Sequence, residues 1–345
     1  MRISVIPALV LVILLSGARP GYAQEPPAIT VVASIQPVHS LVAGVMAGVG
    51  TPYLLVPGGA SPHSFALRPS AAMRVEKARA IFWIGPSLET FLERPLDALA
   101  RKAEVVALAE IEGVTRLPVR EGGPWEAHEH HGAASEIHGE APHAPEADHH
   151  RDLQAHRDAT HAAEHDDAHH HGDWNPHVWL DPQNAVVFVD GIARTLARAD
   201  PANGKTYARN AKRLTDRLRA LDAALRRTLA PVRNKPYVVF HDAYQYFETR
   251  YGLHPVGSIT VSPALSPGAR RLVAIRNRIQ SEKALCVFAE PQFEPKLVRT
   301  AVQGTGARTA TLDPLGARLE AGPDAYFQLM RNLARDLTGC LLGPS

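Results

Sequence analysis

Several things are scarce or missing in this 345-residue chain, and each absence narrows its function. Cysteine occurs only as Cys286 and Cys340. Neither lies at the end of the N-terminal apolar stretch, so no lipid anchor is expected there. No apolar run reaches the roughly 20 residues that cross a bilayer as a helix, so no membrane-spanning helix is expected, and export without anchoring is favoured over a membrane anchor. The HExxH pattern of many zinc hydrolases is absent. Charge is nearly balanced at a formal +2, which is itself neutral on nucleic acid, and no nucleic-acid partner is expected.

The sequence opens on an export signal. Arg2 supplies a short positive region, Val5 to Leu15 an apolar stretch, and Gly21-Tyr22-Ala23 small residues suited to cleavage after Ala23. Residues 1–23 therefore read as a signal peptide and the mature protein as periplasmic. In an oxidising compartment an even pair of cysteines usually forms a disulfide, here fastening the C-terminal helix to a strand. Two free thiols binding metal are the alternative. A helical stretch ending at Gly339 puts Cys340 just past that helix.

The near-neutral total hides a segregated segment. Between Trp125 and Asp173 there are 12 Asp or Glu against only Arg151 and Arg157, together with 13 of the 18 histidines. With few apolar residues, this stretch cannot bury enough surface to offset the entropy of ordering. His149, His150, His169, His170 and His171 are candidates for weak metal gathering, because histidines without fixed geometry give many loose sites. The plainer reading is a solvated insertion with incidental metal affinity.

Outside it, short apolar runs alternate with amphipathic ones. ITVVASI, TPYLLVPGG, RAIFWIG and AEVVALAE read as strands separated by helices or a loop, the last helix spanning SLETFLERPLDALARK. KPYVVFHD, LHPVGSITV, ALCVFAEPQ and ARTATLDP repeat the pattern nearer the C-terminus. Between them, Tyr207, Leu214, Leu218, Leu221, Leu225 and Leu229 recur at helical spacing over Asn203 to Leu229, about 40 Å of helix at 1.5 Å per residue. The fold class is α/β: two pseudo-symmetric lobes, each a mostly parallel four-stranded sheet flanked by helices, joined by one long rigid helix. The lobes span residues 24–200 and 231–345, with the linker helix at 201–230 and the histidine-rich loop at 125–173.

Open α/β sheets bind ligands beyond the carboxyl ends of their strands. His63 follows the second strand-like run, His241 ends YVVFH, Glu290 ends CVFAE and Asp313 ends TATLD. His177, in DWNPHVWLDP, lies where it can reach the same cleft. Three imidazoles and one oxygen make a tetrahedral zinc set. Each residue also has a plain reading: His63 as a turn residue, Asp313 and Glu290 as turn-shaping residues before proline. His39 reads as packed on a helix, and His254 has no evident partner.

The segments GGASPHSFALRPS, NPHVWLDPQNA, VVFHDAYQYFETRYGL, CVFAEPQFEP and TLDPLG, in this order, resemble the motifs of the ZnuA-type zinc-binding proteins of bacterial ABC importers. The resemblance runs from about Ile29 to the C-terminus. It implies two lobes holding Zn(II) between them, and a receptor that delivers this cargo to a membrane permease. It implies a Cys286–Cys340 disulfide and zinc ligation by His63, His177 and His241. Some members place a ligand Glu before the first histidine, but here that residue is Pro62. Asp313 matches a carboxylate that ligates metal in related receptors, while other zinc members leave water there; it is the candidate fourth ligand. A monomer is expected.

Imidazole donors favour zinc over manganese, with copper and nickel as competitors by intrinsic affinity. Ligation needs neutral histidine, so affinity is expected to weaken as pH falls through roughly 6.5. A zinc hydrolase using three histidines with Glu290 as general base, and a histidine-rich chaperone or adhesin, are the alternatives.

Overall fold

The computed structural model describes residues 29–122, 125, 174–260 and 267–343. The expected signal peptide, its expected cleavage site at Ala23 and the five candidate loop histidines from His149 to His171 lie outside them. Within them no helix is long and apolar enough to cross a membrane.

The chain runs β1 (Val31–Ala33), α1 (Gln36–Val45), β2 (Tyr53–Leu54), α2 (Pro69–Lys77), β3 (Ala80–Trp83), α3 (Glu93–Leu99) and β4 (Glu104–Ala107). After the histidine-rich segment come α4 (Pro182–Ala199) and α5 (Gly204–Leu229). The second half is β5 (Pro236–His241), α6 (Gln245–Tyr251), β6 (His254–Thr260), α7 (Ala269–Ser281), β7 (Cys286–Ala289), α8 (Lys296–Val302), β8 (Arg308–Thr311) and α9 (Ala325–Leu342). The strands form two four-stranded sheets ordered β2-β1-β3-β4 and β6-β5-β7-β8, with every pairing parallel. Both are the expected α/β sheets, and they share one topology.

β3 reads AIFW and is buried throughout, as suits a strand covered by helices on both faces. Helix starts are written in proline, which already lacks the N–H that the first turn leaves unpaired. Pro69 opens α2 and Pro182 opens α4, where the Asp181 side chain also accepts from the Gln183 N–H at 2.8 Å. α6 ends at Gly252, whose φ of 65° is the left-handed cap that glycine adopts without strain.

The 26-residue α5 buries Tyr207, Leu214, Leu218, Leu221, Leu225 and Leu229, the residues whose spacing predicts it. It does not hold the lobes apart. A single apolar core runs from β1 and β3 through α1, α4, α5 and α9 to β5 and β7. Two smaller cores cover the outer faces, one under α2 and α3 and one under α7 and α8.

Two expectations are corrected. α3 spans only 7 residues of the longer stretch. Pro95 allows little more than one turn before it, because its ring clashes with the carbonyl four residues earlier. Cys340 lies inside α9 and not beyond it, and it bonds to Cys286 of β7, so the disulfide does tie the C-terminal helix to a strand.

Candidate metal centre

The carboxyl edges of the two sheets meet around three imidazoles. His63 sits between β2 and α2, His241 is the last residue of β5, and His177 precedes a short 3-10 turn, Val178–Leu180, that leads into α4. One ring nitrogen from each lies within 4.8 Å of the others, the only such metal-capable group among the described residues. His177 Nε2 is 3.3 Å from His63 Nε2 and 3.2 Å from His241 Nε2. Donors held at zinc–nitrogen distances of about 2.0–2.1 Å in a tetrahedron stand roughly 3.3 Å apart, so the spacing already fits.

The backs of two rings show what the front nitrogens carry. His177 Nδ1 meets Asn175 Oδ1 at 2.8 Å, and His241 Nδ1 meets Glu290 Oε1 at 2.7 Å. Both partners are acceptors, so each Nδ1 holds the proton and each Nε2 presents a lone pair. Two lone pairs at 3.2 Å repel unless a cation lies between them. Burial, reinforced by the neighbouring imidazoles, keeps His177 well below its ordinary pKa, and burial, with the electrostatic effect of the nearby His241 ring, pushes His63 down to about 3. His63 and His177 are thus held in the neutral form that binds metal.

The segment carrying His177 is anchored to the second lobe. Asn175 Nδ2 donates to the Asp242 carbonyl at 2.7 Å, so one side chain supports His177 and the residue after His241. The Tyr246 hydroxyl donates to the Asn175 carbonyl and accepts from Leu117 N–H. Trp179 Nε1 donates to the Pro314 carbonyl, and the Tyr326 hydroxyl to the Trp179 carbonyl. Beneath them Arg120 pairs with Asp242 and, at 2.7 Å, with Glu248, and its guanidinium stacks 3.7 Å from the Trp125 ring centroid. Burial alone would lower the Arg120 pKa, but Glu248 and Asp242 outweigh it and hold the guanidinium charged.

Asp313, the candidate fourth ligand, is not part of the cluster: it offers no oxygen within that distance of all three imidazole nitrogens. Its carboxylate closes a turn, accepting from the N–H groups of Leu315, Gly316 and Ala317 at 3.1, 2.9 and 2.6 Å, and from Gln292 Nε2 at 3.2 Å. Glu290 is 3% exposed and lines the pocket beside Gln292. His39 is buried on α1 and bonds the Pro52 carbonyl, while His254 is exposed at the start of β6. Asn175 carries no sequence signal of its own beyond standing two residues before His177.

Two parallel-sheet lobes with an imidazole cluster at their meeting edges define the class of metal-binding solute receptors. The model of the ZnuA family, the zinc-uptake complex component A, periplasmic, matches residues 31–340, and the chain belongs to that family. It is 51% identical over 312 residues to a high-affinity zinc uptake system protein ZnuA of Brucella abortus, covering 90% of this chain and 91% of the relative. To the protein of the same name from Yersinia pestis it is 38% identical, at 90% and 91% coverage. A solved ZnuA deletion mutant with zinc bound has a similar fold, with a TM-score of 0.68 and 21% identity, covering 92% of this chain and all of that one.

Proposed function

We propose that this protein is a periplasmic receptor that binds Zn(II) through His63, His177 and His241 and hands it to the membrane permease of an ABC importer. The observation that carries this reading is the pair of Nε2 lone pairs, on His177 and His241, facing each other at 3.2 Å. Such an arrangement is costly without a cation and ready-made with one. The family and the named function of its relatives supply the transport context. The chain is read as a monomer, exported by a signal peptide cleaved near Ala23, with lobes at 24–200 and 231–345 and a linker helix at 201–230.

Glu290, the residue a hydrolase would use as general base, turns one oxygen to the back of His241, which favours ligand support over catalysis. The acidic segment 125–173 is read as a zinc-gathering stretch. Competition titration with a chelating dye tests the central reading: wild-type protein binds one zinc tightly, and replacement of any of the three histidines by alanine removes that class of site. Undiminished affinity in all three variants rejects it. Deleting 128–171 tests the gathering role, which fails if uptake at limiting zinc is unchanged.

A further inference from the structure

The ring of His63 is held differently from the other two. His177 and His241 each have an acceptor behind the ring, Asn175 and Glu290, whereas His63 has none among the described residues. Its place is therefore set by the backbone of the loop that carries it, between β2 and α2. Two turns follow one another there, the Ala60 N–H donating to the Pro57 carbonyl at 2.9 Å and the Ser64 N–H to the Ser61 carbonyl at 3.3 Å. Beyond them Phe65 packs on Phe91, with ring centroids 5.2 Å apart. A shift at the first turn is thus passed along the loop to His63.

That first turn rests against the second lobe. After β8 the chain folds into the turn closed by Asp313, whose carboxylate accepts from Leu315, Gly316 and Ala317. Gly58 faces this turn so closely that a Cβ added to it would lie 3.0 and 3.1 Å from the Ala317 carbonyl oxygen and Cα, and 2.6 Å from Gln36 Oε1. Only glycine allows such an approach, because the atoms it meets are mostly backbone and cannot swing aside. Gln36 is not free to move either, since its Nε2 donates to the Leu319 carbonyl at 2.7 Å. The same turn takes the Trp179 Nε1 donor on its Pro314 carbonyl, two residues along from His177. One turn of the second lobe thus touches the supports of both histidines that precede α4.

We propose that this turn is the template that sets the distance of His63 from the other two imidazoles, with Gly58 and Gln36 as its positioning residues on the first lobe. The inference rests on the three-histidine reading above and adds to it the contacts that hold the third ligand in place. Asp313, outside the imidazole group, then acts on the metal site through the turn it closes and not as a donor. A binding constellation works only when its members sit within about 0.5 Å of the productive geometry. His63, with no hydrogen bond behind its ring to restore it, depends on the loop contact for that precision.

Two neighbouring glycines make the test specific. A Cβ at Gly59 meets nothing within 4 Å, while one at Gly58 meets the turn. Gly58→Ala should therefore lower zinc affinity about 10-fold by chelator competition, as loss of a support behind a ligand does, and Gly59→Ala should bind as wild type. Gln36→Leu, which releases the Leu319 carbonyl without adding bulk, should lose affinity in the same direction. In a His63→Ala background Gly58→Ala should cost nothing further, because the residue it positions is gone; a loss that persists there, as a merely structural role predicts, overturns the proposal. Co(II) bound in place of zinc reports donor number and geometry through its visible absorption, which should weaken in Gly58→Ala and match wild type in Gly59→Ala. Unchanged affinity or an unchanged cobalt spectrum in Gly58→Ala also overturns it. If His63→Ala alone leaves zinc affinity intact, the three-histidine reading fails, and this proposal with it.

Discussion

His177 and His241 aim Nε2 at Nε2 across 3.2 Å, and the proton of each ring is on the far side, committed to Asn175 and Glu290. With both rings neutral, that contact pairs two acceptors. Replacing either by alanine should cost at least about 100-fold in zinc affinity, roughly 2.7 kcal/mol, measured by chelator competition. A loss under threefold would mean that the lone pairs are not what holds the ion.

Asn175 supports both of these histidines without touching metal. Its Oδ1 orients His177 and its Nδ2 holds the carbonyl of Asp242, the residue after His241. Asn175→Ala should lower zinc affinity about 10- to 100-fold, and Asn175→Asp should recover the His177 contact but not the bond to Asp242. Equal affinities for the two variants would show that the two bonds do not act separately.

Arg120 answers two buried carboxylates, Asp242 and Glu248, whose side chains are 9% and 3% exposed. Arg120→Ala strands both and should destabilise the protein by about 3 to 5 kcal/mol. Chemical denaturation of zinc-free protein measures this directly. Arg120→Ala with Glu248→Gln should recover part of the loss.

Glu89 gives the zinc-free protein an unusual pH response. It is fully buried, accepts from Ser34 Oγ at 2.5 Å and from the N–H groups of Ile84 and Gly85, and burial raises its pKa to about 7. The folded state holds this proton more tightly than the unfolded chain does. Its contribution is therefore complete below about 4.5 and is lost as pH rises to about 7, a change on the order of 3 kcal/mol. His63 runs the other way, its folded pKa being depressed, so its contribution is present above about 6.5 and lost as pH falls toward 3. Thermal melts of Glu89→Gln against wild type from pH 4.5 to 7.5 isolate the first effect, and the variant should gain relative stability with rising pH.

The Cys286–Cys340 bond closes a loop of 54 residues. By chain entropy its loss should cost about 4 kcal/mol. Because neither cysteine belongs to the imidazole group, a double serine variant should melt earlier yet bind zinc with unchanged affinity below its melting temperature.

What the sequence made legible follows from which signals are local. The apolar repeat from Tyr207 to Leu229 is a property of neighbours on one helix, and it marks the buried face of α5 correctly. Strand runs such as AIFW and YVVF are equally local. The three histidines could be gathered only because the motifs around them resemble a family; spacing alone gave His63 and Asp313 the same standing. The structure places His63 in the imidazole group and Asp313 outside it, with its carboxylate on the N–H groups of its own turn, a difference that depends on side-chain direction and not on spacing. Asn175 and Glu290 take their roles from contacts across 2 to 67 residues, which no periodicity encodes.

One apolar core passes from the first sheet to the second without interruption. Beyond its small outer core, neither lobe therefore has an interior of its own to keep when the other melts. Calorimetry should register one cooperative unit, and an injury to α9 at the chain's end should be felt as strongly at β1, near its beginning.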